Sequence, residues 1–544
     1  MFARIKKSGS NQYLQIVENR REGQKIIQRV LVTLGRVERL QARGDIETLI
    51  RSLSRFSEKA LLVLSGKADI QASAKKIGPA LIFERLWKEL QIGQVIKSLL
   101  RERKFEFKVE RAIFLTVLHR LLVSGSDRSC DKWHRDYLIE RADDLSLHHL
   151  YRAMAFLGEE IADQQDRTPF SPRCIKDLIE EDLFQVNRNL FSGLDLVFLD
   201  TTSLYFEGEG GETLGEKGYS KDHRPDLNQI VIGTLIDDQG RPVCCEIWPG
   251  NTADVKTLIP VADRIRNRFQ VGSFCLVADR GMISKETLKE LEERNLPYIL
   301  GARMRLVKEI KEEVLSRAGR YQEVVPEGVS SKAPAPLKVK EVLLDGKRYI
   351  VCINSKQARK EARDRQVILE ALEEKLKTNP KALIGNKGYR KYLTLDRNLI
   401  TINQKKVDEE TRFDGKWVIQ TNTDLPAEKV ALKYKELWQV EQVFRDMKSV
   451  LETRPIYHQR DETIRGHVFC SFLALVLRKE LDRRLEKTGL SFEWADIKQD
   501  LKAFQEIIIE DHGKSIAIRS ECKGTCGKVF QAAGVAVPPT IREI

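Results

Sequence analysis

Three acidic residues, far apart along the chain, have the settings that metal-dependent phosphate chemistry needs. Asp200 and Asp279 each end a short apolar run, and Glu441 lies inside the helical stretch 434–448. Two carboxylates at the ends of buried strands and one on a helix could bind two divalent cations about 4 Å apart, which act on the attacking and leaving oxygens of a phosphodiester. Oxygen ligands of this kind suit hard ions such as Mg²⁺. The pattern predicts a metal-dependent enzyme that transfers DNA strands.

The composition is typical of a large, basic, intracellular protein. The 544 residues can form three or four domains with cores of their own. Lys and Arg number 93 against 80 acidic residues, and the net charge of +13 favours a polyanionic partner such as double-stranded DNA. The N-terminus lacks the apolar core of a signal peptide, and the longest apolar stretches are too short to cross a bilayer. Nine scattered cysteines predict reduced thiols, so we expect a cytoplasmic location and no membrane contact.

Two regions precede the first of the three acids. Residues 1–70 alternate apolar and polar positions around a basic turn, which predicts a β-hairpin whose face either contacts DNA phosphates or is simply solvated. Residues 75–190 have helical periodicity and predict an all-α domain, with a helix start at Ser126 or Asp127. Short helices joined by a polar turn suit either a helix-turn-helix DNA reader or a domain that only packs.

An α/β pattern follows, and its element order predicts where Asp200 and Asp279 lie. Three strands are expected to meander, and two more to alternate with helices at about 254–268 and 284–295. That is the order of an RNase H-like mixed sheet flanked by helices, in which the two aspartates end neighbouring strands. The expected strands span 195–200, 228–236, 242–248, 274–279 and 297–301. Residues 193–304 are therefore predicted to form the first part of a catalytic domain.

The α/β pattern is interrupted between residues 305 and 415. A Pro-rich stretch at 333–337, a hairpin at 342–353 and a charged helix at 355–377 predict a β-rich insertion with its own small core. At the other end of the chain, residues 486–544 predict a C-terminal helix and a mobile tail.

Residues 416–485 are predicted to complete the catalytic domain with the helix that carries Glu441. On that helix Tyr434, Leu437, Glu441 and Lys448 share one face, next to an apolar stripe that would pack on the sheet. Taken singly, each of these residues has an ordinary explanation. The two aspartates could be turn residues and Glu441 part of a helix ion pair. Tyr434 could be a core residue and Lys448 a solvated charge. Their coincidence favours a catalytic role.

The sequence resembles the DDE transposases of bacterial insertion sequences, in their insertion-sequence-four-like branch. That branch carries a Tyr-x2-Arg-x3-Glu-x6-Lys signature on its last catalytic helix. Tyr434, Glu441 and Lys448 fit this spacing, and Leu437 stands where arginine is usual. The resemblance runs from about residue 13 to about residue 480. It is strongest in the Glu441 helix and in four further motifs, at 199–202, 218–226, 249–254 and 277–282.

The resemblance implies an RNase H-like catalytic domain that a β-rich insertion interrupts before the glutamate. We expect two Mg²⁺ ions, for which Mn²⁺ can substitute, with Asp200 bridging both, Asp279 holding one and Glu441 the other. The resemblance further implies binding to the terminal inverted repeats of the element and to target DNA, in a homodimer or larger assembly. The expected place of action is a bacterial or archaeal cytoplasm, at the nucleoid.

Seven side chains are expected to contact DNA: Tyr434, Lys448, Lys221, His223, Arg224, Arg280 and Arg445. For the loop that contains three of them, the alternative is a turn-stabilising network around Asp222 and Asp226. Two other functions stay open, a nuclease without strand transfer and a transposase-derived DNA-binding protein without catalysis. The intact set of three acids favours the active transposase.

Overall fold

The structure is a computed structural model, and it describes residues 2–22, 25–53, 71–168, 171–187, 194–324, 337–378, 387–396, 399–511 and 514–544. The chain divides into two compact units. The first consists of Met1–Tyr151 and Leu477–Ile544, and the second of Arg152–Val476.

Helices and strands account for most of the described residues. The strands, numbered in chain order, are β1 (Phe2–Ser8), β2 (Asn11–Glu22), β3 (Lys25–Arg36), β4 (Gln71–Lys76), β5 (Leu196–Tyr205), β6 (Gln229–Asp237), β7 (Pro242–Pro249), β8 (Cys275–Ala278), β9 (Tyr298–Gly301), β10 (Gln322–Val324), β11 (Leu337–Leu344), β12 (Lys347–Ile353), β13 (Leu393–Asp396), β14 (Leu399–Ile402), β15 (Lys416–Thr421), β16 (Gln505–Asp511), β17 (Lys514–Arg519) and β18 (Ile541–Glu543). The helices span Val37–Ala42, Asp45–Leu53, Gly78–Glu89, Ile92–Leu99, Val109–Leu122, Asp127–Trp133, Leu147–Gly158, Ile175–Val186, Leu258–Phe269, Lys285–Glu293, Ser355–Thr378, Lys387–Arg390, Gln404–Thr411, Ala427–Lys435, Trp438–Arg445, Asp461–Lys487, Trp494–Ala503 and Cys526–Ala533.

An antiparallel three-stranded sheet, in the order β1–β2–β3, begins the first unit. The expected hairpin is the pair β2 and β3, in which Glu22 lies opposite Lys25, and β1 adds a third strand. The turn at residues 23 and 24 lies outside the described residues. Val17 is buried, but most side chains of this sheet are exposed. The alternating pattern therefore marks strands here rather than a thick core.

The C-terminal residues of the first unit are more ordered than the expected mobile tail. After the helix Trp494–Ala503 come β16, β17, a further helix and β18, in a sheet of order β18–β17–β16–β4. In this sheet Ile507 lies opposite Ile518, and Ile509 opposite Ile516. Such cross-strand aliphatic pairs stabilise a hairpin. They are visible in the sequence as two alternating runs, which should have predicted the strands.

The predicted all-α domain at 75–190 is divided between the two units near residue 151. In the first unit, the expected helix start is confirmed, because the Ser126 side chain accepts a hydrogen bond from the Ser129 backbone N–H at 3.2 Å. The helix Ile175–Val186 belongs to the second unit, where it packs on β7 and on the helix Leu258–Phe269. This helix therefore supports the α/β sheet.

A buried charge network joins the helix Ile175–Val186 to the sheet. Arg264 donates to Asp177 and to Glu246, each at 2.7 Å. Arg268, whose side chain is 1% exposed, donates to Glu180 at 2.7 Å and also to Glu246 at 3.3 Å. Burial of charge is tolerated only where each group is paired, as it is here. The network therefore fixes the register between the two helices and β7.

The second unit is built on a nine-stranded mixed sheet in the order β10–β11–β12–β15–β9–β8–β5–β6–β7. The strands β5, β6 and β7 meander in antiparallel fashion, whereas β8 and β9 run parallel to β5. The five expected strands and the two expected helices between them are confirmed. Apolar residues of β5, β8 and the helix Leu258–Phe269 form the main core of this unit. The result is a mixed sheet flanked by helices.

The region expected to be a separate insertion extends this same sheet. The predicted hairpin at 342–353 is confirmed as β11 and β12, joined at Asp345-Gly346, two residues with positive φ. However, β12 pairs with β15, which pairs with β9, so the hairpin continues the catalytic sheet. Two smaller cores lie in this region, one around Phe413 and one around Leu372. The Pro-rich stretch at 333–337 lies almost entirely outside the described residues.

Among the helices that the structure describes, none has the length and apolar character needed to cross a membrane.

Candidate active site

The parallel pair β5 and β8 brings Asp200 and Asp279 to the same edge of the sheet. Leu199 of β5 lies opposite Ala278 of β8, and each aspartate is the next residue of its chain segment. The apolar residues before them are buried, because both strands are covered by helices. Asp279 is exposed directly after β8 ends, as the sequence predicts. Asp200 lies inside β5, which continues to Tyr205 as a buried strand, so the strand end predicted at residue 200 is wrong.

Glu441 completes the cluster from the helix Trp438–Arg445. Tyr434 belongs to a separate helix, Ala427–Lys435, so the prediction of one continuous helix from Tyr434 to Lys448 is wrong. Val440, Val443 and Phe444 of this helix are buried, whereas the Glu441 side chain is exposed. A cavity of about 300 Å³ is lined by all three acids. Its other lining residues are Trp417, Tyr434, Lys435, Leu437 and Trp438. The structure thus brings together three carboxylates that are separated by up to 241 positions in the sequence, the difference between 441 and 200.

The surroundings of Asp200 affect its ionisation. Burial raises the pKa of Asp200 to about 6, and the negative charges of Asp279 and Asp254 act in the same direction. The positive charge of Lys221 and the Thr201 backbone N–H, which donates to Asp200 Oδ1 at 2.7 Å, oppose this rise in pKa. An acid in this state gains from any cation that binds beside it. The cluster is therefore electrostatically suited to bind positive charge.

Tyr434 positions Asp279 rather than facing solvent. Its hydroxyl donates to Asp279 Oδ1 at 3.0 Å. Burial raises the pKa of Tyr434 well above its ordinary value, and the charge of Asp279 adds to the effect, so the hydroxyl remains a donor. The ring reaches this position because Gly301 at the end of β9 has no side chain, and a methyl group there would overlap the hydroxyl. The hydroxyl of Tyr434 is thus engaged with Asp279, and the predicted contact of this residue with DNA stays a prediction.

Arg303 fixes the turn that follows Asp279. It donates to the carbonyl oxygens of Arg280 and Gly281, at 3.0 and 3.1 Å. Arg280, predicted to contact DNA, is exposed on this turn. The sequence offers no signal for the role of Arg303, because its partners are backbone atoms about twenty residues away.

Lys448 is paired inside the protein. The residues 446–450 form a π-helical turn directly after the Glu441 helix. From it Lys448 donates to Asp222 Oδ1 at 2.8 Å, and its side chain is only 11% exposed. Burial lowers the pKa of Lys448, and the hydrogen bond to Asp222 opposes this effect. Arg454 contacts the same carboxylate oxygen at 3.3 Å. The predicted phosphate contact at Lys448 would require this ion pair to open.

The three residues of the loop after β5 that are predicted to contact DNA differ in their partners and in their exposure. Lys221 forms an ion pair with a further acid, Asp254, whose Oδ2 lies 3.0 Å from the lysine ammonium. Arg224 donates to Asp226 in the same loop, and His223 is exposed with a φ of 58°. The alternative of a turn-stabilising network thus fits Arg224. Arg445, the last of the predicted contacts, is exposed one turn beyond Glu441.

The cavity fits a hard divalent cation on its own chemistry. Three carboxylates supply oxygen ligands, the type that Mg²⁺ and Mn²⁺ prefer. Lys221 is the cation that acts on Asp200, and burial outweighs it, so the pKa of Asp200 remains raised to about 6. Asp200, Asp279 and Glu441 are therefore the residues that would hold such an ion.

Comparison with known proteins places the chain in one family. The transposase DDE domain family matches residues 192–477, slightly more than half of the chain, and this segment includes all three acids. The chain therefore belongs to the DDE transposases, which use divalent metal ions. The N-terminal domain of the IS1634 family transposases matches residues 3–67. The protein is a bacterial insertion-sequence DDE transposase of the IS4-like and IS1634 type.

Two solved structures resemble the chain distantly. One is a cryo-EM structure of the piggyBac transposase synaptic complex with hairpin DNA, at 12% identity and a TM-score of 0.36, covering 78% of this chain and 79% of that one. The other is the Mos1 transposase paired-end complex with left transposon end, at 12% identity and a TM-score of 0.14, covering 36% and 60%. Among curated proteins, none matches the sequence.

Proposed function

We propose that this transposase cuts DNA at the terminal inverted repeats of its insertion sequence and joins the freed 3′ ends to target DNA, with Asp200, Asp279 and Glu441 as its metal ligands. The observation that supports the proposal is the meeting of these three acids in one cavity. The strand order β7–β6–β5–β8–β9, with only the last three parallel, supports an RNase H-like catalytic domain.

Hydrogen bonds within the protein orient two of the three carboxylates in the absence of DNA. The Thr201 N–H holds Asp200 and the Tyr434 hydroxyl holds Asp279, so two of the three ligands have fixed orientations. Mg²⁺, or Mn²⁺ in its place, would supply Lewis-acid stabilisation of the attacking and leaving oxygens when bound. Ligands that are oriented in advance require little reorganisation during the reaction, which lowers the barrier.

The walls of the cavity complete the site. Trp417, Leu437 and Trp438 line it beside the acids. Bulky side chains beside the acids would restrict the path of a DNA strand and so help to place one phosphodiester in line for attack. Leu437, at the position where arginine is usual, contributes contact area here but no charge.

Exposed basic side chains near the cavity would contact the DNA phosphates. Arg280 follows Asp279 and Arg445 follows Glu441 by one helical turn, and both are exposed, as is His223. Arg224 could exchange Asp226 for a phosphate. The net charge of +13 favours DNA over other partners. The enzyme would act in the cytoplasm at the nucleoid, as a homodimer or larger assembly that holds two ends.

The test is a cleavage and joining assay on linear DNA that carries both flanking ends. Purified protein is incubated with Mg²⁺, with Mn²⁺ or with EDTA, and nicks and joined products are resolved on denaturing gels. We expect both products with either metal and none with EDTA. Asp279→Asn, which retains an acceptor for Tyr434, should abolish both products while end binding persists.

The matched control is Asp238→Asn, which alters an exposed acid on the turn between β6 and β7. This variant should cut and join normally. Full cleavage by Asp279→Asn would overturn the assignment of the site. Nicks without any joined product would show a nuclease rather than a strand-transfer enzyme, and end binding without cleavage by the wild type would show a protein that only binds DNA.

A further inference from the structure

The ammonium group of Lys221 has three hydrogen-bond acceptors around it. It donates to the Thr201 carbonyl oxygen and to the Thr201 Oγ1, each at 2.7 Å, and it lies 3.0 Å from Asp254 Oδ2. Two hydrogen bonds and one ion pair therefore hold the ammonium group. Although the side chain is 29% exposed, its charge is already engaged within the protein.

Thr201 connects this lysine to the candidate active site. It is 2% exposed, it follows Asp200 in β5, and its backbone N–H donates to Asp200 Oδ1 at 2.7 Å. Its hydroxyl accepts from Lys221 and donates to Asp254 Oδ1 at 2.7 Å. Any movement of Thr201 would therefore move the hydrogen bond that orients the Asp200 carboxylate.

Asp254 closes the network from a third segment of the chain. It begins the short 3-10 turn Asp254–Lys256, which follows β7, and it lies beside Gly281 in the turn after Asp279. The Lys221 backbone N–H donates to Ser203 Oγ at 2.8 Å, which fixes the lysine's loop along β5. Lys221 and Asp254 thus join the loop after β5, β5 itself and the segment after β7 at one point next to Asp200.

We propose that Lys221 and Asp254 are positioning residues for Asp200, which act through Thr201, and that Lys221 does not bind DNA. The proposal rests on the proposed function, because it gives Asp200 its role. Groups that orient a ligand in this way commonly change activity by about 10- to 100-fold when they are removed. A phosphate contact would behave differently, because its loss weakens binding and reduces the salt dependence by about one unit of log slope.

The experiment separates binding of DNA from the chemical step. Full-length Lys221→Met and Asp254→Asn proteins are compared with wild type for affinity to end DNA across a salt series in EDTA, and for the single-turnover cleavage rate with Mg²⁺ at saturating DNA. We expect unchanged affinity, an unchanged salt slope and a cleavage rate that falls about 10- to 100-fold in each variant. The cleavage rate of the double variant should be no lower than that of the slower single variant, because the two residues form one network.

Two further variants make the test decisive. Lys347→Met removes a lysine of β12 that is paired with Glu309, and it should leave cleavage unchanged. Lys221→Arg retains the charge, but a planar guanidinium cannot meet three acceptors arranged around an ammonium, so it should cleave as slowly as Lys221→Met. If Lys221→Met fails to fold in a thermal scan, Asp254→Asn and Lys221→Arg carry the same test.

A salt slope lower by about one unit in Lys221→Met would overturn the proposal, as would full activity of Lys221→Arg or additive losses in the double variant. The failure of the proposed function is distinguishable, since it shows as normal cleavage by Asp279→Asn, whatever Lys221 does.

Discussion

Replacing Asp200 by asparagine should stabilise the metal-free protein at neutral pH. The pKa of Asp200 is raised to about 6 from its ordinary value of 3.8, because burial and the neighbouring carboxylates disfavour the charged form. Above pH 6 the folded protein must hold this unfavourable charge, whereas the unfolded chain holds it freely in water. Asparagine removes the charge and retains an oxygen for the Thr201 N–H, so the substitution should relieve the strain without breaking the hydrogen bond.

The size of the effect follows from the two pKa values. A raised pKa in an acid means that stability is highest below pH 3.8 and is lost as the pH rises through 6. At about 1.4 kcal/mol for each tenfold change in proton affinity, the loss is about 1 kcal/mol at pH 4.5 and about 3 kcal/mol at pH 7.5. Contact of the carboxylate with cavity water makes these values upper limits.

The assay is urea unfolding of wild type and Asp200→Asn in EDTA at pH 4.5 and 7.5, with Asp238→Asn as the control. The free energy of unfolding of Asp200→Asn should exceed that of wild type at pH 7.5 by more than at pH 4.5. Added Mg²⁺ should stabilise wild type but not Asp200→Asn, because a ligand stabilises only the state that binds it. A less stable Asp200→Asn at pH 7.5, or a gain independent of pH, would refute the electrostatic argument.

Two further substitutions test the elements that support the site. Gly301→Ala should displace the Tyr434 hydroxyl and lower the free energy of unfolding by about 1–3 kcal/mol. It should slow cleavage more than it weakens binding to end DNA. Normal cleavage by this variant would show that the contact between Tyr434 and Asp279 is dispensable. Arg268→Met should lower the free energy of unfolding by about 3–5 kcal/mol, because Asp177 and Glu180 lose a buried partner. Urea unfolding measures this change, and a decrease below about 1 kcal/mol would contradict the importance of the network.

The strands that carry the aspartates could be predicted because their signal is local. An apolar run that stops at a charged residue marks the end of β8 at Asp279, whereas β5 continues past Asp200 to Tyr205 through buried polar residues that carry no such signal. The β-rich region was harder to place. Its hairpin is predicted from the sequence, whereas β10 and β13 are not. Nothing local shows that β12 pairs with β15 and so joins the catalytic sheet, because that pairing connects residues about 70 positions apart.

The predicted DNA contacts show the same limit for side chains. Lysine, tyrosine and arginine near an acid cluster suit either a phosphate or an internal carboxylate, and residue type alone does not choose. Lys448 meets Asp222 across 226 positions, and Tyr434 meets Asp279 across 155. These partners, which turn two predicted DNA contacts inward, are set by packing of distant segments.

The sequence by itself determined the three acids, the local elements that carry them and the family to which the chain belongs, because each depends on residue type and short-range spacing. Only the tertiary structure decided that the acids share one cavity and that Lys221, Tyr434 and Lys448 are bonded within the protein. The physical reason is that a hydrogen bond depends on positions within a few ångströms, and those positions are fixed by contacts between segments far apart along the chain.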